Sequence, residues 1–360
     1  MPTLAYSAIL LIPLLAGLSL AAGGMWTFGV PLLVFGLLPV IEAFLPGSYR
    51  NPSPEEEQAR RAALWRYDAV IFAALTLHLA VLAAFIFGVS QERWHGAALF
   101  GATATVGLSC GAIGINLGHE LGHRQRRLHQ AAARVALLSS LYLHFVVEHN
   151  RGHHIRVATP EDPATARRGE TVYAFWARSI AGGWRSAWAI EARRLHGSGV
   201  SPLSPRNEVL TGASVQLGLL VVVALTLGPA AALAWLAVGL GGILLLETVN
   251  YVEHYGLLRE LRPDGRYARV APLHSWTSDR AIGRVLLFEL TRHADHHANA
   301  GRPYPVLRHF SAAPELPQGY PAMIVLALLP PLWFRVMDAH VDDELRRLAA
   351  LAPAAPAMVG

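Results

Sequence analysis

Long apolar stretches punctuate the chain at residues 4–22, 25–45, 69–89, 97–116, 209–227 and 230–249. Each approaches the roughly 20 residues a helix needs to cross the hydrocarbon core of a bilayer. Gly23–Gly24 and Gly228–Pro229 interrupt neighbouring runs and predict tight helical hairpins. The first stretch has no basic segment before it and is followed at once by a second, so it reads as a retained span rather than a signal peptide. Two shorter apolar segments are expected to lie on the membrane face. Residues 131–147 contain Arg134 and His144, and residues 320–337 contain Pro330, Pro331 and Arg335. Asn51-Pro52-Ser53-Pro54-Glu55-Glu56-Glu57 reads as a loop capping an amphipathic helix. The pattern therefore predicts an all-α, polytopic membrane protein: six transmembrane helices and a cytoplasmic helical cap in a single domain over residues 1–350. An Ala/Pro-rich tail, 351–360, is expected to be disordered.

Composition agrees with a membrane protein. Of 360 residues, 53% are hydrophobic and 15% charged, against about a quarter charged in soluble domains. All 30 basic residues are Arg, and the formal net charge is +5. With six spans, every Arg except Arg93 falls on one side, which the positive-inside rule makes cytoplasmic. Both termini then face the cytoplasm across what is expected to be a bacterial-type inner membrane. The positive charge is accounted for by topology, and no nucleic-acid partner is expected. The single cysteine, Cys110, excludes a disulfide framework, a thiolate zinc site and a built-in iron–sulfur or rubredoxin centre.

The 17 histidines change the picture most. Nine fall into four clusters at or beyond span ends: His119 and His123 in N-L-G-H-E-L-G-H-R; His149, His153 and His154 in E-H-N-R-G-H-H; His254 in N-Y-V-E-H-Y-G-L; and His293, His296 and His297 in R-H-A-D-H-H-A-N. Residues three or four apart share a helix face, so each cluster can turn imidazoles to one place. His149 and His154 are about 140° apart on an α-helix, so the two need not serve one metal. Nine ligands exceed what one ion accepts and suit two metals with four or five nitrogens each. Imidazole alone does not choose among zinc, copper, iron and nickel. Glu120, Glu148, Asp162, Glu247, Asn250, Glu253 and Asp295 flank the clusters and could accept the distal ring N–H of a ligand. His78, His95, His129, His196 and His340 read as ordinary interfacial or capping residues.

Several chemistries compete. His119-Glu120-Leu121-Gly122-His123 satisfies the zinc metalloprotease pattern, with Glu120 as general base. Three ligands would serve that reaction and leave six clustered histidines without work. A metal transporter would place its site near the bilayer midplane, whereas these clusters lie at span ends.

The four motifs, in this order, resemble the membrane-bound histidine-rich di-iron oxygenases of the fatty-acid desaturase and hydroxylase superfamily. The stretches E-H-N-R-G-H-H-I-R-V-A-T-P-E-D-P-A (148–164), L-E-T-V-N-Y-V-E-H-Y-G-L (246–257), L-H-S-W (273–276) and R-H-A-D-H-H-A-N (292–299) look specifically like the alkane 1-monooxygenase family. The likeness extends through L-R-H-F (307–310) and P-P-L-W-F-R-V-M-D (330–338), covering roughly residues 30–340. Xylene monooxygenases share the histidine plan, and a xylene-type or fatty-acyl hydroxylase or desaturase is the alternative. The resemblance implies two irons held by the nine clustered histidines. It implies terminal hydroxylation of medium- or long-chain n-alkanes with dioxygen and two electrons from a separate rubredoxin, itself reduced by an NADH-dependent reductase. That donor, acidic in the family, would dock on the Arg-rich cytoplasmic face. Val34, in V-F-G-L-L-P, is the candidate residue of the substrate channel.

Overall fold

The computed structural model describes residues 1–351; from residue 352 on, the expected tail lies outside the described residues. Six helices are long and apolar enough to cross a membrane: α1 (Thr3–Ala22), α2 (Gly24–Phe44), α4 (Leu64–Ser90), α5 (Gly96–Gly122), α9 (Glu208–Leu227) and α10 (Pro229–His254). Between α2 and α4, α3 (Pro54–Ala62) begins at a reciprocal cap: Ser53 Oγ accepts from the Glu56 N–H at 3.2 Å, and Glu56 Oε2 accepts from the Ser53 N–H at 3.0 Å. The tight hairpins fall where glycine was expected, with Gly23 at φ 67° and Gly228 at φ 92°, backbone that a side chain would strain. No named β-strand occurs among the described residues, only isolated bridges.

The remaining helices are short or amphipathic and gather at one end of the bundle. They are α6 (Arg127–Ser139); α7, a run of Phe145–Glu148, the π-helical turn His149–His153 and His154–Arg156; α8 (Val172–His196); α11 (Ala281–Leu286); α12 (His293–Ala298); α13 (Tyr320–Ala327); and α14 (Pro330–Leu351). The apolar segment 131–147 is broken after Ser139, with Leu141 at φ 55°. The segment 320–337 is split between α13 and α14 ahead of Pro330. α6, with 13 residues, and α13, with 8, are too short to span, and α14, though 22 residues long, carries Arg335, Asp338 and a charged stretch from Asp342 on.

Packing of α5 against α10 sets the site. A Cβ on Gly242 would meet the Cys110 Cβ at 2.7 Å and the Gly111 N at 2.9 Å, and Gly107 and Gly241 face each other in backbone contact. Helices in lipid gain little from apolar contact between side chains, so small residues that admit close backbone approach carry the association. The crossing brings together the two span ends that bear His119 and His254. His78 on α4 ties the same region, its ring nitrogens each 2.9 Å from a hydroxyl, Ser109 on α5 and Ser139 on α6.

Candidate metal centre

The structure gathers all nine clustered histidines at one end of the bundle, in two groups. His119, His123, His149, His154 and His296 form the first; His153, His254, His293 and His297 form the second, and the candidate ligand atoms within each lie within 4.8 Å of one another. His119 sits in the last turn of α5 with His123 just beyond it, and His254 is the final residue of α10. The helices α7 and α12 supply the rest, and each divides its histidines between the groups.

That division corrects the expectation from α-helical spacing. His149 and His154 belong to one group, with Nε2 atoms 2.9 Å apart, while His153 joins the other. The cause is local: His149–His153 forms a π-helical turn, whose wider i→i+5 winding brings residues five apart onto one face. His296 likewise faces the first group, whereas His293 and His297 face the second.

The nitrogens are spaced as ligands would be. In the first group, Nε2 separations are 2.9 Å for His119–His296, 3.1 Å for His123–His149 and 3.1 Å for His154–His296. In the second they are 3.2 Å for His153–His297, 3.2 Å for His254–His293 and 2.8 Å for His293–His297. Ligands at right angles on an ion, each about 2.1 Å from it, stand about 3.0 Å apart. Hydrogen bonding does not explain the arrangement. An Nε2 offers one lone pair or one hydrogen, yet His149 Nε2 meets both His123 and His154, and His293 Nε2 meets both His254 and His297. A shared cation satisfies every lone pair at once, so the donor set fits two metal ions.

Electrostatics keep these rings fit to bind. Burial, then the charge of neighbouring imidazoles, holds His149, His293, His296 and His297 well below the usual histidine range, and burial brings His123 down to about 4. The neutral imidazole is the form that ligates. His153 goes the other way: burial lowers it, but the Asp162 carboxylate outweighs that and raises it. Asp162 Oδ2 lies 2.9 Å from His153 Nδ1 and also accepts from Thr165 Oγ1 at 2.6 Å. That bond assigns the hydrogen to Nδ1 and leaves Nε2 free to face the site.

Of the other six flanking candidates, five make no hydrogen bond to a clustered imidazole; Glu148, for one, accepts from Arg156 at 2.9 Å and Ser186 at 3.1 Å. Glu120 is engaged by Arg124 at 2.7 Å and 3.0 Å and by the Tyr304 N–H at 3.4 Å. Glu247 accepts from Tyr142, Ser179 and Asn250, the last of which thereby spends its amide on Glu247. Asp295 accepts from Asn299 Nδ2 and from the Arg308 N–H. Side chains one or two residues from a ligand on a helix diverge from it, and buried carboxylates take the nearest donor. Glu253, in contrast, places Oε2 3.2 Å from His293 Nε2 while its other oxygen accepts from Tyr320 at 2.7 Å.

A brace behind α12 was not legible beforehand. The fully buried Arg292, just ahead of that helix, bonds Asp279 at 2.9 Å, the Leu307 carbonyl at 2.7 Å and the Ser48 carbonyl at 3.0 Å. His309 Nδ1 meets the same Asp279 at 2.8 Å. His309 thus anchors a support and is no part of either group. His274 accepts from the Ala271 N–H at 3.0 Å and is likewise structural.

An apolar pocket of about 930 Å³ of empty space runs into the bundle and ends on His119, His149 and His293. Val34 and Phe35, within a π-helical turn of α2, line it together with Leu108, Leu245 and Ile324. Only a few polar groups, among them Asn116, Asn250 and Glu253, reach it.

Comparison with known proteins agrees with this architecture. The pattern of the family described as "Fatty acid desaturase" matches residues 92–327. Alkane 1-monooxygenase 2 of Pseudomonas aeruginosa is 40% identical over 93% of this chain and 89% of its own length. The alkane 1-monooxygenase of Acinetobacter baylyi is 37% identical over 89% of this chain and 78% of its own. The hydroxylase component of xylene/toluene monooxygenase from Pseudomonas putida is more distant, 27% identical over 94% of this chain and 88% of its own. With its histidine groups, its six apolar helices and these relatives, the chain belongs to the fatty acid desaturase family and, within it, to the alkane 1-monooxygenases.

Proposed function

We propose that this membrane enzyme hydroxylates the terminal methyl of medium- or long-chain n-alkanes, using two non-haem irons, dioxygen and electrons from a separate rubredoxin. The observation that carries the reading is an apolar pocket whose lining includes His119 and His149 of one histidine group and His293 of the other. His119, His123, His149, His154 and His296 would hold one iron, and His153, His254, His293 and His297 the other. The irons, when bound, supply the activation of dioxygen needed to attack an unactivated C–H bond.

The chain's own residues supply position and exclusion. The pocket wall is apolar, so an alkane is as well solvated there as among lipid tails and better than in water, but a methylene contributes too little for recognition by affinity alone. Regiochemistry then rests on geometry: an extended chain filling the slot past Val34 and Phe35 presents one end to the histidines. Asp162 fixes the tautomer of His153, and the Arg292–Asp279 pair holds α12 in place.

Electron supply needs an outside donor, since Cys110 is the single cysteine and is buried. His123 and His154 are the members of the first group that are partly exposed, so that group lies nearest the outside. Arginines near them are mostly engaged: Arg124 by Glu120, Arg151 by Glu191 and Glu208, and Arg156 by Glu148. Arg126 and Arg127 are exposed and form no ion pair among the described residues, and they suit an acidic partner. By the distribution of arginines this face, and both termini, are cytoplasmic, in an inner membrane of bacterial type.

Gas chromatography of products from octane, hexadecane and xylene, with rubredoxin and its reductase supplied, tests the reading. 1-Octanol or 1-hexadecanol, with close to two irons per chain, is the expected result. Benzylic alcohol alone would move the protein to xylene-type chemistry, and no oxidised product would overturn the reading.

A further inference from the structure

On one flank of the bundle α9 is left largely uncovered. Of its 20 residues only Val209 and Gly212 are buried, although the helix is one of the six apolar spans. It meets the chain between α6 and α7 closely at one place. A Cβ on Gly212 would stand 3.2 Å from the Leu143 Cβ, and the Leu143 N–H donates to Gln216 Oε1 at 2.8 Å. Beside that contact the helices part, and a groove with about 1050 Å³ of empty space opens between α9 on one side and α6 and α7 on the other. No residue lines both this groove and the apolar pocket that ends on the histidines.

The groove is graded from charged to apolar. Glu208, Thr211, Gly212 and Val215 form its α9 wall, at the i, i+3, i+4 and i+7 spacing of one helix face. Seven residues from Glu208 to Val215 make about 10 Å of helix, a third of the roughly 30 Å hydrocarbon core. The end at the mouth of the span holds Arg134, Arg206 and Glu208. One turn further along α6, Leu138 lines the apolar end with Leu143 and Val215, and the next residue, Ser139, bonds His78 inside the span α4. The charged rim carries an excess of cation. Glu208 is engaged twice, by Arg134 at 2.9 Å and by Arg151 at 2.8 Å. Arg206 is exposed on the rim, and its guanidinium makes no hydrogen bond or ion pair among the described residues. Guanidinium is always charged and its planar fork matches phosphate oxygens.

We infer that this groove binds one phospholipid with an anionic headgroup, its phosphate on Arg206 and Arg134 and the upper part of a chain along Leu138, Leu143 and Val215. An alkane would leave the arginines unused, and a free anion would leave the apolar wall bare; an amphiphile matches both ends. The net positive rim favours an anionic headgroup over a zwitterionic one. Seated there, the lipid fills the space in which α9 lacks protein neighbours and bridges it to α6 and to α7, the helix that carries His149, His153 and His154. The site is apart from the reaction, so the inference goes beyond the hydroxylase reading and does not rest on it.

The test is native mass spectrometry of the full chain in detergent, with phosphatidylglycerol or phosphatidylcholine of the same chains added, and melting midpoints measured in parallel. One arginine near an anionic headgroup contributes about fivefold in affinity and two about 30-fold. The wild type should therefore bind one phosphatidylglycerol about 5- to 30-fold more tightly than phosphatidylcholine. Phosphatidylglycerol should raise the melting midpoint, and inorganic phosphate at the same concentration should not. Arg206→Gln should cut the preference about fivefold, and Arg206→Glu should bring it close to one. Val215→Trp, at an exposed position of the apolar end, should weaken both lipids alike and keep the preference. Both positions are exposed, and the melting midpoint without added lipid checks that each variant is folded. Equal binding of the two lipids by the wild type, or a preference that survives Arg206→Glu, reduces the groove to the unselective lipid contact of any span and overturns the site. Stabilisation by inorganic phosphate as large as that by phosphatidylglycerol, lost in Arg206→Glu and kept in Val215→Trp, assigns the arginines to a free anion and overturns the lipid.

Discussion

Replacing Asp162 by Asn should weaken one metal site and spare the other. Asp162 Oδ2 takes the His153 Nδ1 hydrogen at 2.9 Å inside a pair that is almost wholly buried. Asn keeps the shape and can still accept that hydrogen through its amide oxygen, but the charge is gone. A hydrogen bond to a charged group contributes about 1.5–3 kcal/mol and a neutral one about 0.5–1.5, a loss near 1–1.5 kcal/mol, or about tenfold in affinity. Removing the outer partner of a ligand histidine generally costs about 10- to 100-fold in metal binding. His153 belongs to the group of four, and no histidine of the group of five bonds to Asp162. Chelator competition with metal analysis should therefore show one of two ions released about 10- to 100-fold more readily, with the other unchanged. Equal weakening at both sites, or none at either, would refute the division into a group of five and a group of four, or the role of Asp162 in it.

Three further outcomes follow from the same geometry. Val34→Trp fills part of the pocket wall, so preference among n-alkanes should move to shorter chains; an unchanged product profile by gas chromatography would place Val34 off the substrate path. The metal-free protein should lose stability on acidification: burial holds His123 at about 4 against 6.5, with His149, His293, His296 and His297 also well below. The unfolded chain then binds protons first, so stability present above 6.5 is lost as pH falls towards 4, opposed by the raised His153 alone among these; a melting midpoint no lower at pH 5 than at pH 7.5 would contradict this. Arg126→Glu with Arg127→Glu should cut kcat/KM for rubredoxin by about tenfold at low salt and less at high salt, leaving iron content alone.

Much of the site was legible because ligation needs particular residue types and the chain concentrates them. Nine histidines at span ends, spaced for helices, marked the metal centre, and α5 and α10 do carry His119 and His254 at their ends. The flanking carboxylates were not legible in the same way. Asp162 lies in a loop, nine residues from His153 and eight from His154 and far from any helical register with them, yet it bonds a ligand ring at 2.9 Å. Glu120, beside His119 in sequence, is taken by Arg124. Which donor captures a buried carboxylate depends on neighbours brought in from other elements, and one chain segment does not reveal them.

The sequence by itself determined the six-helix membrane architecture and the residue type that gathers at the candidate centre. Transfer of apolar side chains out of water is additive along a segment, so a run of about 20 such residues announces a span without knowledge of its partners. Ligand type is equally local, since an imidazole is an imidazole wherever it folds. Tertiary structure decided how the nine clustered histidines divide into two groups. That division turns on the π-helical turn at His149–His153 and on the face that α12 presents once Arg292 is bonded to Asp279 and to the carbonyls of Ser48 and Leu307. It also decided that Val34 and Asn250 border one pocket, and that His144 is buried with neither ring nitrogen hydrogen-bonded. These are properties of distances between segments, set by close passage of helices at Gly107, Gly111, Gly241 and Gly242, and they exist only after the chain has packed.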